Sequence, residues 1–333
     1  MNREIGLFLP YFGQLPNYFN LWVKSVAINP EIQFILITDQ HIDAKLPSNL
    51  HIIKSDFENM QQLVKGKFSN LEVSIDNPYK LCDFRPAYGY IFEDLIDKYH
   101  LDYWGFCDPD VIWGKISFFL KEYGFYKKNY DKVGYLGHFQ FFSVNQKFLF
   151  KEIVDNEKFR NYKYVFTHKY AYHFDEEIGI GLIAKKSGIK IMDFECDPPY
   201  VDVLTNKLQF YTNPNAKYYN LPRYLKWNRE YGLYQYVLSN SKYMELPVMY
   251  VHLQKRKMYI EANLENEQTF YIFPNKFISK KTKTNINIKE ALKDKLYLYY
   301  YLSKIKVFIK KFSIKQIKHT RYFEKLLNEY YKN

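Results

Sequence analysis

Short apolar runs, each closed by polar or turn-forming residues, set the rhythm of the N-terminal half of the chain. Ile5 to Leu9 reads as a strand that stops at Pro10-Tyr11-Phe12-Gly13. Tyr18, Leu21, Trp22 and Val26 recur at helical spacing within 15–29, and Pro16 suits a first turn. Gln33–Thr38 and Leu50–Ile53 are two further apolar strands, the first closed by Asp39. Strand, helix, strand, strand predicts an α/β sheet with parallel strands. Pro10–Gly13 and Asp39 then fall at carboxyl ends of strands, the edge where open α/β sheets bind ligands. There Asp39 either bonds a base or ribose, or caps a turn.

Residues 56–78 are polar and read as irregular, with a break at Asn77-Pro78. Leu81, Phe84, Tyr88, Ile91, Phe92, Leu95 and Ile96 form an apolar stripe that predicts one helix over Lys80–Tyr99. Lys80, Asp83 and Arg85 cluster at its start, as an anion site or as a salt-bridged first turn. Tyr103–Cys107 is a buried strand that ends abruptly in Asp108-Pro109-Asp110 before apolar Val111-Ile112-Trp113 and a turn at Gly114. Two carboxylates at the mouth of a buried strand are costly unless a cation sits there. A hard divalent ion, Mg²⁺ or Mn²⁺, suits carboxylate oxygens and shares its remaining positions with phosphates. Pro109 restricts the backbone between the two aspartates.

Ile116–Lys121 is a short helix, and Val133–Val144 reads as one strand. His138 and Gln140 share its parity, so both would face one side, as sugar or acceptor contacts or as satisfied structural groups. Asp175-Glu176-Glu177 precedes an apolar run; these acids either start a helix or supply a general base. Ile189–Phe194 is a further strand, and 200–247 reads as an irregular insertion with short strands. Val248–His252 is an apolar strand ending in a possible third metal ligand, His252, with Lys255 or Arg256 close by to neutralise a diphosphate. Leu298, Leu302, Ile305, Ile309 and Phe312, interleaved with lysines, form a basic amphipathic helix. It suits an anionic membrane surface, or packs on the main domain with a solvated lysine face.

Composition sharpens this division. The chain has 333 residues and a net charge of +12; 16 of its 48 Lys and Arg but only 4 of its 36 Asp and Glu lie in 276–333. Residues 1–275 are therefore neutral, which argues against a nucleic-acid surface and divides the chain into a 1–275 catalytic domain and a 276–333 helical tail. Three widely spaced cysteines without a CxxC exclude a disulfide framework and a zinc knuckle. Neither a secretory signal nor an 18-residue apolar window is read, so a cytoplasmic location is expected. The 20% aromatic content carries no functional weight, because the matching excess of Tyr, Lys, Asn, Ile and Phe looks like codon bias.

The pieces LPYFGQLPNYF, FILITD, PYKLCDFRPAYGYIFED, YWGFCDPDVIWG, GHFQFF, FDEEIGIG and YVHLQKR, in that order over residues 1–260, resemble the metal-dependent GT-A glycosyltransferases of bacterial capsule and lipopolysaccharide O-chain synthesis. The resemblance implies a Rossmann-like, mainly parallel mixed sheet with flanking helices. It implies an enzyme moving a hexose from a UDP-sugar to a surface-glycan or lipid-linked acceptor at the inner face of the membrane. Asp108 and Asp110 match the DxD motif and His252 the late metal-binding histidine, for Mn²⁺ or Mg²⁺. Pro10, Tyr11, Phe12 and Asp39 fall where uridine is held. Lys80, Asp83, Arg85 and Lys255 fall at the remaining donor contacts, and His138 and Gln140 at the sugar or acceptor. Asp175 or Glu176 falls where inverting members keep their base, and inversion is the expected course; in a retaining course that carboxylate would orient the acceptor. The His252 region lacks the HxxGxxKPW form of one retaining family. A metal-dependent phosphohydrolase and a non-catalytic membrane-surface binding protein are the alternatives, the first usually needing more clustered acids and histidines.

Overall fold

A computed structural model describes residues 3–192, 194, 199–203, 208–212, 224–239 and 242–280. Its frame is a seven-stranded sheet. Strands β1 (Ile5–Pro10), β2 (Ile32–Thr38), β3 (Leu50–Lys54) and β4 (Tyr103–Cys107) lie parallel in the order β3-β2-β1-β4. Next to β4 the chain adds an antiparallel hairpin and a short edge strand. With β5 (Val111–Trp113) set aside for a second sheet, these are β6 (Lys132–Leu136), β7 (Phe139–Ser143) and β8 (Ile191–Met192), in the order β4-β7-β6-β8.

Alternation along the parallel strands splits their side chains between two apolar layers. Leu7, Leu9, Phe34 and Leu36 join Trp22 and Trp113 on one face. Phe8, Ile35, Ile37, Trp104 and Phe106 join Phe84, Tyr88 and Phe92 on the other. Both faces are covered, which is why these strands read as continuous apolar runs rather than as alternating ones. At Gly105 an added Cβ would lie 2.1 Å from the Gln140 carbonyl oxygen, so only glycine lets β4 and β7 close here.

The second sheet runs β10-β9-β14-β5, with β9 (Tyr200–Val203), β10 (Phe210–Tyr211) and β14 (Tyr250–His252). The third, β13-β12-β11-β16-β17-β15, contains β11 (Tyr224–Asn228), β12 (Gly232–Ser239), β13 (Lys242–Val248), β15 (Tyr259–Ile260), β16 (Thr269–Phe273) and β17 (Lys276–Ser279). Trp227 Nε1 donates to the Trp113 carbonyl at 3.0 Å, tying the third sheet to the second. Buried Asn29 donates to the Gly114 carbonyl at 2.9 Å and accepts from Ile116 N at 2.8 Å, which fixes the chain just after β5.

Several expectations are corrected. The first helix, α1, is only Phe19–Val26, because Pro16 lies outside it and Ala27 closes it. Residues 56–78 are not irregular: α2 spans Phe57–Lys67 with Asp56 as N-cap, and its stripe was invisible because only Met60 and Val64 are buried. The single helix over Lys80–Tyr99 is three segments, a 3₁₀ stretch Pro78–Ala87 that contains Pro86, then Tyr88–Ile91 and Glu93–Lys98. Val133–Val144 is a hairpin turning at Gly137-His138, not one strand. The expected strand over Ile189–Phe194 shrinks to Ile191–Met192. The 200–247 insertion is mostly regular antiparallel sheet where it is described. Lys276–Ser279 pairs with β16 and β15, so the first residues assigned to the tail belong to the folded domain. The amphipathic helix of the tail lies outside the described residues.

Candidate metal centre and cleft

The site is assembled where β4 ends. Asp108-Pro109-Asp110 turns the chain out of the main sheet and into β5 of the second. In that sheet β14 pairs antiparallel with β5, setting His252 opposite Val111 and therefore beside Asp110. On its other side β14 pairs parallel with β9, setting His252 opposite Asp202. Three ionisable side chains remote in sequence thus stand side by side on adjacent strands.

Ligand atoms of Asp108, Asp110 and His252 lie within 4.8 Å of one another. Asp110 is fully buried. Its Oδ2 accepts from Lys255 N at 2.6 Å and lies 3.5 Å from His252 Nε2. Its Oδ1 has no hydrogen-bond partner. A buried carboxylate oxygen left bare costs kcal/mol unless something positive meets it. The donor set, two carboxylates and an imidazole, fits a divalent cation such as Mn²⁺ or Mg²⁺.

The loop after His252 is built to reach back. Gln254 and Lys255 both adopt left-handed backbone, φ 55° and 52°, which costs non-glycine residues about 1 kcal/mol each. The bonds that hold it there converge on Asp110 and Asp202. Leu253 N donates to the Asp110 carbonyl at 2.8 Å, and Gln254 Nε2 meets both Asp202 oxygens at 3.0 Å.

Charges within the cluster define one another. Burial pushes the Asp110 carboxyl up, but the His252 imidazolium and Lys255 outweigh it and hold it well below the usual carboxylate range. Burial opposes charge on His252, yet Asp110 and Asp202 raise its imidazole well above the ordinary value. His138 stacks on His252 at 4.3 Å; burial and then the His252 charge push it down to about 3, so its ring is neutral.

Arg85 links this centre to a second group of acids. Its guanidinium bonds Asp108 Oδ1 through one nitrogen; through the other it donates to Asp175 Oδ2 at 2.8 Å and the Gly137 carbonyl at 2.7 Å. Asp175 is buried and Glu176 half-buried. Glu176 Oε2 accepts from Gly137 N at 2.9 Å. Burial and then Glu177 push Glu176 up to about 8, against the pull of the Gly137 amide and Arg85. Burial likewise keeps the Asp175 carboxyl well above its usual range despite Arg85. His173, Asp175 and Glu176 also bring ligand atoms within 4.8 Å of one another. Arg85 bonds one carboxylate of each group, and burial favours the protonated forms of Asp175 and Glu176 in the second, which makes it the weaker place for a cation.

The remaining candidates separate into mouth and framework. Tyr11 is half-buried; burial, then Asp110 and Asp108, push its phenol up, which places the ring in the field of the acidic pair. Asp39 is exposed at the end of β2, and β1 runs alongside with Pro10 opposite Ile37. Exposed Lys255 holds its ammonium 5.0 Å from the centre of the Tyr79 ring.

Five of the candidates are held within the framework. Lys80 and Asp83 are buried, paired at 2.7 Å and fully used: Lys80 also donates to the Val165 and Tyr170 carbonyls, while Asp83 accepts from Tyr172 N and Phe174 N. They hold the loop that presents Asp175, in the salt-bridged arrangement. Phe12 is buried against Phe57 in the core. Gln140 is fully buried and donates to the Asp175 carbonyl at 2.6 Å, so it supports the loop and meets no acceptor. His138, on the turn, bonds the Tyr250 hydroxyl at 2.9 Å and braces His252. The sequence reading missed Asp202, Gln254, Tyr79 and Gly137. The first lay in a segment read as irregular, and the others lie within the quoted stretches PYKLCDFRPAYGYIFED, GHFQFF and YVHLQKR without being given a role there.

Residues 7–281 match a protein family described as "Family of unknown function (DUF6625)". No curated protein matches the chain.

An added Cβ at Gly137 would sit 2.5 Å from Glu176 Oε1 and 3.0 Å from Asp175 Oδ2. Gly137→Ala must displace these carboxylates, and its expected cost of about 1–3 kcal/mol is read in a denaturant unfolding curve. Unchanged stability would show that the two acids are not held against the turn.

Proposed function

The chain belongs to the DUF6625 family, and for it we propose a metal-dependent glycosyltransferase of the GT-A kind, moving a hexose from a UDP-sugar to a surface-glycan or lipid-linked acceptor. The observation that carries this reading is the convergence of Asp108, Asp110 and His252, with the buried Asp110 Oδ1 lacking a partner. The parallel β3-β2-β1-β4 core and the switch into an antiparallel hairpin are consistent with that fold. The carboxyl ends of β1, β2 and β4 form one edge, as expected of a nucleotide cleft.

A cation held by Asp108, Asp110 and His252 would neutralise the diphosphate as its charge grows. The chain's own groups do the rest. Tyr11 and Asp39 flank the nucleoside end. Arg85 fixes Asp108 and Asp175 in one plane of contacts. Glu176, half-buried and held near neutrality, takes the proton from the acceptor hydroxyl while that oxygen bonds the anomeric carbon. The bond from that carbon to phosphate breaks, UDP leaves with the electron pair, and Lys255 meets the departing charge. An attack opposite the leaving group inverts the sugar. The tail from 281 onward, with its lysine excess, would keep the enzyme at the inner membrane face; no helix among the described residues is long and apolar enough to cross a membrane.

With a UDP-sugar panel and MnCl₂, the full chain should release UDP; EDTA should stop it, and Asp110→Asn should cut turnover about a hundredfold or more. Metal-independent release would overturn the reading, and phosphate release from simple esters would favour a phosphohydrolase. The pH–rate profile gives a separate test. A base must be unprotonated, so kcat/KM should rise as pH passes through about 8 and level above it. Glu176→Gln should lose about 10²–10⁴-fold in rate together with that limb, and a glutamine variant keeping both would exclude Glu176 as the base.

A further inference from the structure

Asp202 has no part in the mechanism above, yet it is among the most fully bonded carboxylates in the protein. It is buried, and four groups converge on it. His252 Nδ1 lies 3.4 Å from its Oδ1. Gln254 Nε2 donates to both oxygens at 3.0 Å. Val203 N donates to Oδ1 at 2.7 Å, and the Tyr211 hydroxyl donates to Oδ2 at 3.2 Å. The strand register sets Asp202 directly across from His252 on β9 and β14. On the opposite edge of the imidazole, Nε2 lies 3.5 Å from Asp110 Oδ2. The flat face of the ring is held by His138, stacked at 4.3 Å with 27° between planes.

We propose that Asp202 is a positioning residue for the cation site: it accepts the His252 Nδ1–H, fixes that tautomer and ring plane, and so turns the Nε2 lone pair toward Asp108 and Asp110. A cation that takes the place of the second proton on the His252 imidazolium leaves a neutral ring with one N–H and one lone pair. A carboxylate that claims the N–H on one side leaves the lone pair on the other, and carboxylate–histidine pairs of this kind raise the basicity of a metal-binding ring. Gln254 and Tyr211 keep Asp202 from rotating away. The left-handed backbone at Gln254 therefore gains a purpose, since it brings that amide onto Asp202 while Lys255 N reaches Asp110. The inference rests on the cation site proposed above.

The test measures Mn²⁺ affinity of the full chain, without donor, by the electron paramagnetic resonance signal of free Mn²⁺. Asp202→Asn should weaken binding about 10- to 100-fold, and Asp202→Glu, which keeps the acceptor oxygens, should recover part of the loss. In a His252→Ala background, Asp202→Asn should add no further loss, because its effect passes through that ring. Wild-type affinity in Asp202→Asn, or losses that simply add in the double variant, would overturn the inference. Asp110→Asn separates the two claims. If it abolishes Mn²⁺ binding while Asp202→Asn does not, only the role of Asp202 fails; if neither variant matters, the cation site fails. Should Asp202→Asn not fold, long-range ¹⁵N spectra of the Mg²⁺-saturated wild type decide: an Nδ1–H tautomer at His252 is expected, and an Nε2–H tautomer overturns the assignment.

Discussion

Asp110 carries a negative charge at a fully buried position, where one of its oxygens has no hydrogen-bond partner. Burying such a group is among the most unfavourable things a fold can do, and the surroundings have to answer it. Three answers are visible. The Lys255 amide meets one oxygen, His252 stands close to the same oxygen, and two residues of backbone adopt left-handed conformation so that the loop after β14 can reach. Asp108, Asp110 and His252 bring ligand atoms within 4.8 Å of one another, a set suited to a divalent ion. The second sheet exists around this arrangement, because β5, β14 and β9 bring Asp110, His252 and Asp202 level with one another.

Outside that centre, the framework transmits position rather than charge. Asp83 and Lys80 hold the loop before Asp175 by bonding its amides and carbonyls. Gln140 bonds the Asp175 carbonyl from β7. Arg85 then ties Asp175 to Asp108 across the cleft, so the candidate base and the acidic pair share one rigid reference. A cluster of like charges would otherwise spread apart; here a half-buried guanidinium and a glycine turn keep it together.

What could be read from the sequence divides along the same physical line. The central parallel strands β1, β2 and β4 are covered on both faces, so their residues are almost wholly apolar and stand out. The Asp108-Pro109-Asp110 turn stood out because it breaks such a run. The helix α2 was missed because it buries only Met60 and Val64, too few to make a stripe. The hairpin at Gly137 was read as one strand because the turn residues lie between two aromatic runs and leave the apolar content unbroken. Asp202 could not be found, since its importance depends on a strand register set between residues fifty apart in sequence. Lys80 and Asp83 stayed open between two readings for a related reason. A buried ion pair and an anion site share the same letters, and only burial tells them apart.

The central claim is that Asp108, Asp110 and His252 together hold one divalent cation. Its most direct measurement is anomalous diffraction at the manganese edge from crystals of the full chain soaked in MnCl₂. The account predicts a single strong peak within bonding distance of all three side chains, with the imidazole coordinating through Nε2. A peak at His173, Asp175 and Glu176 instead, or saturating manganese with none near Asp110, would contradict it.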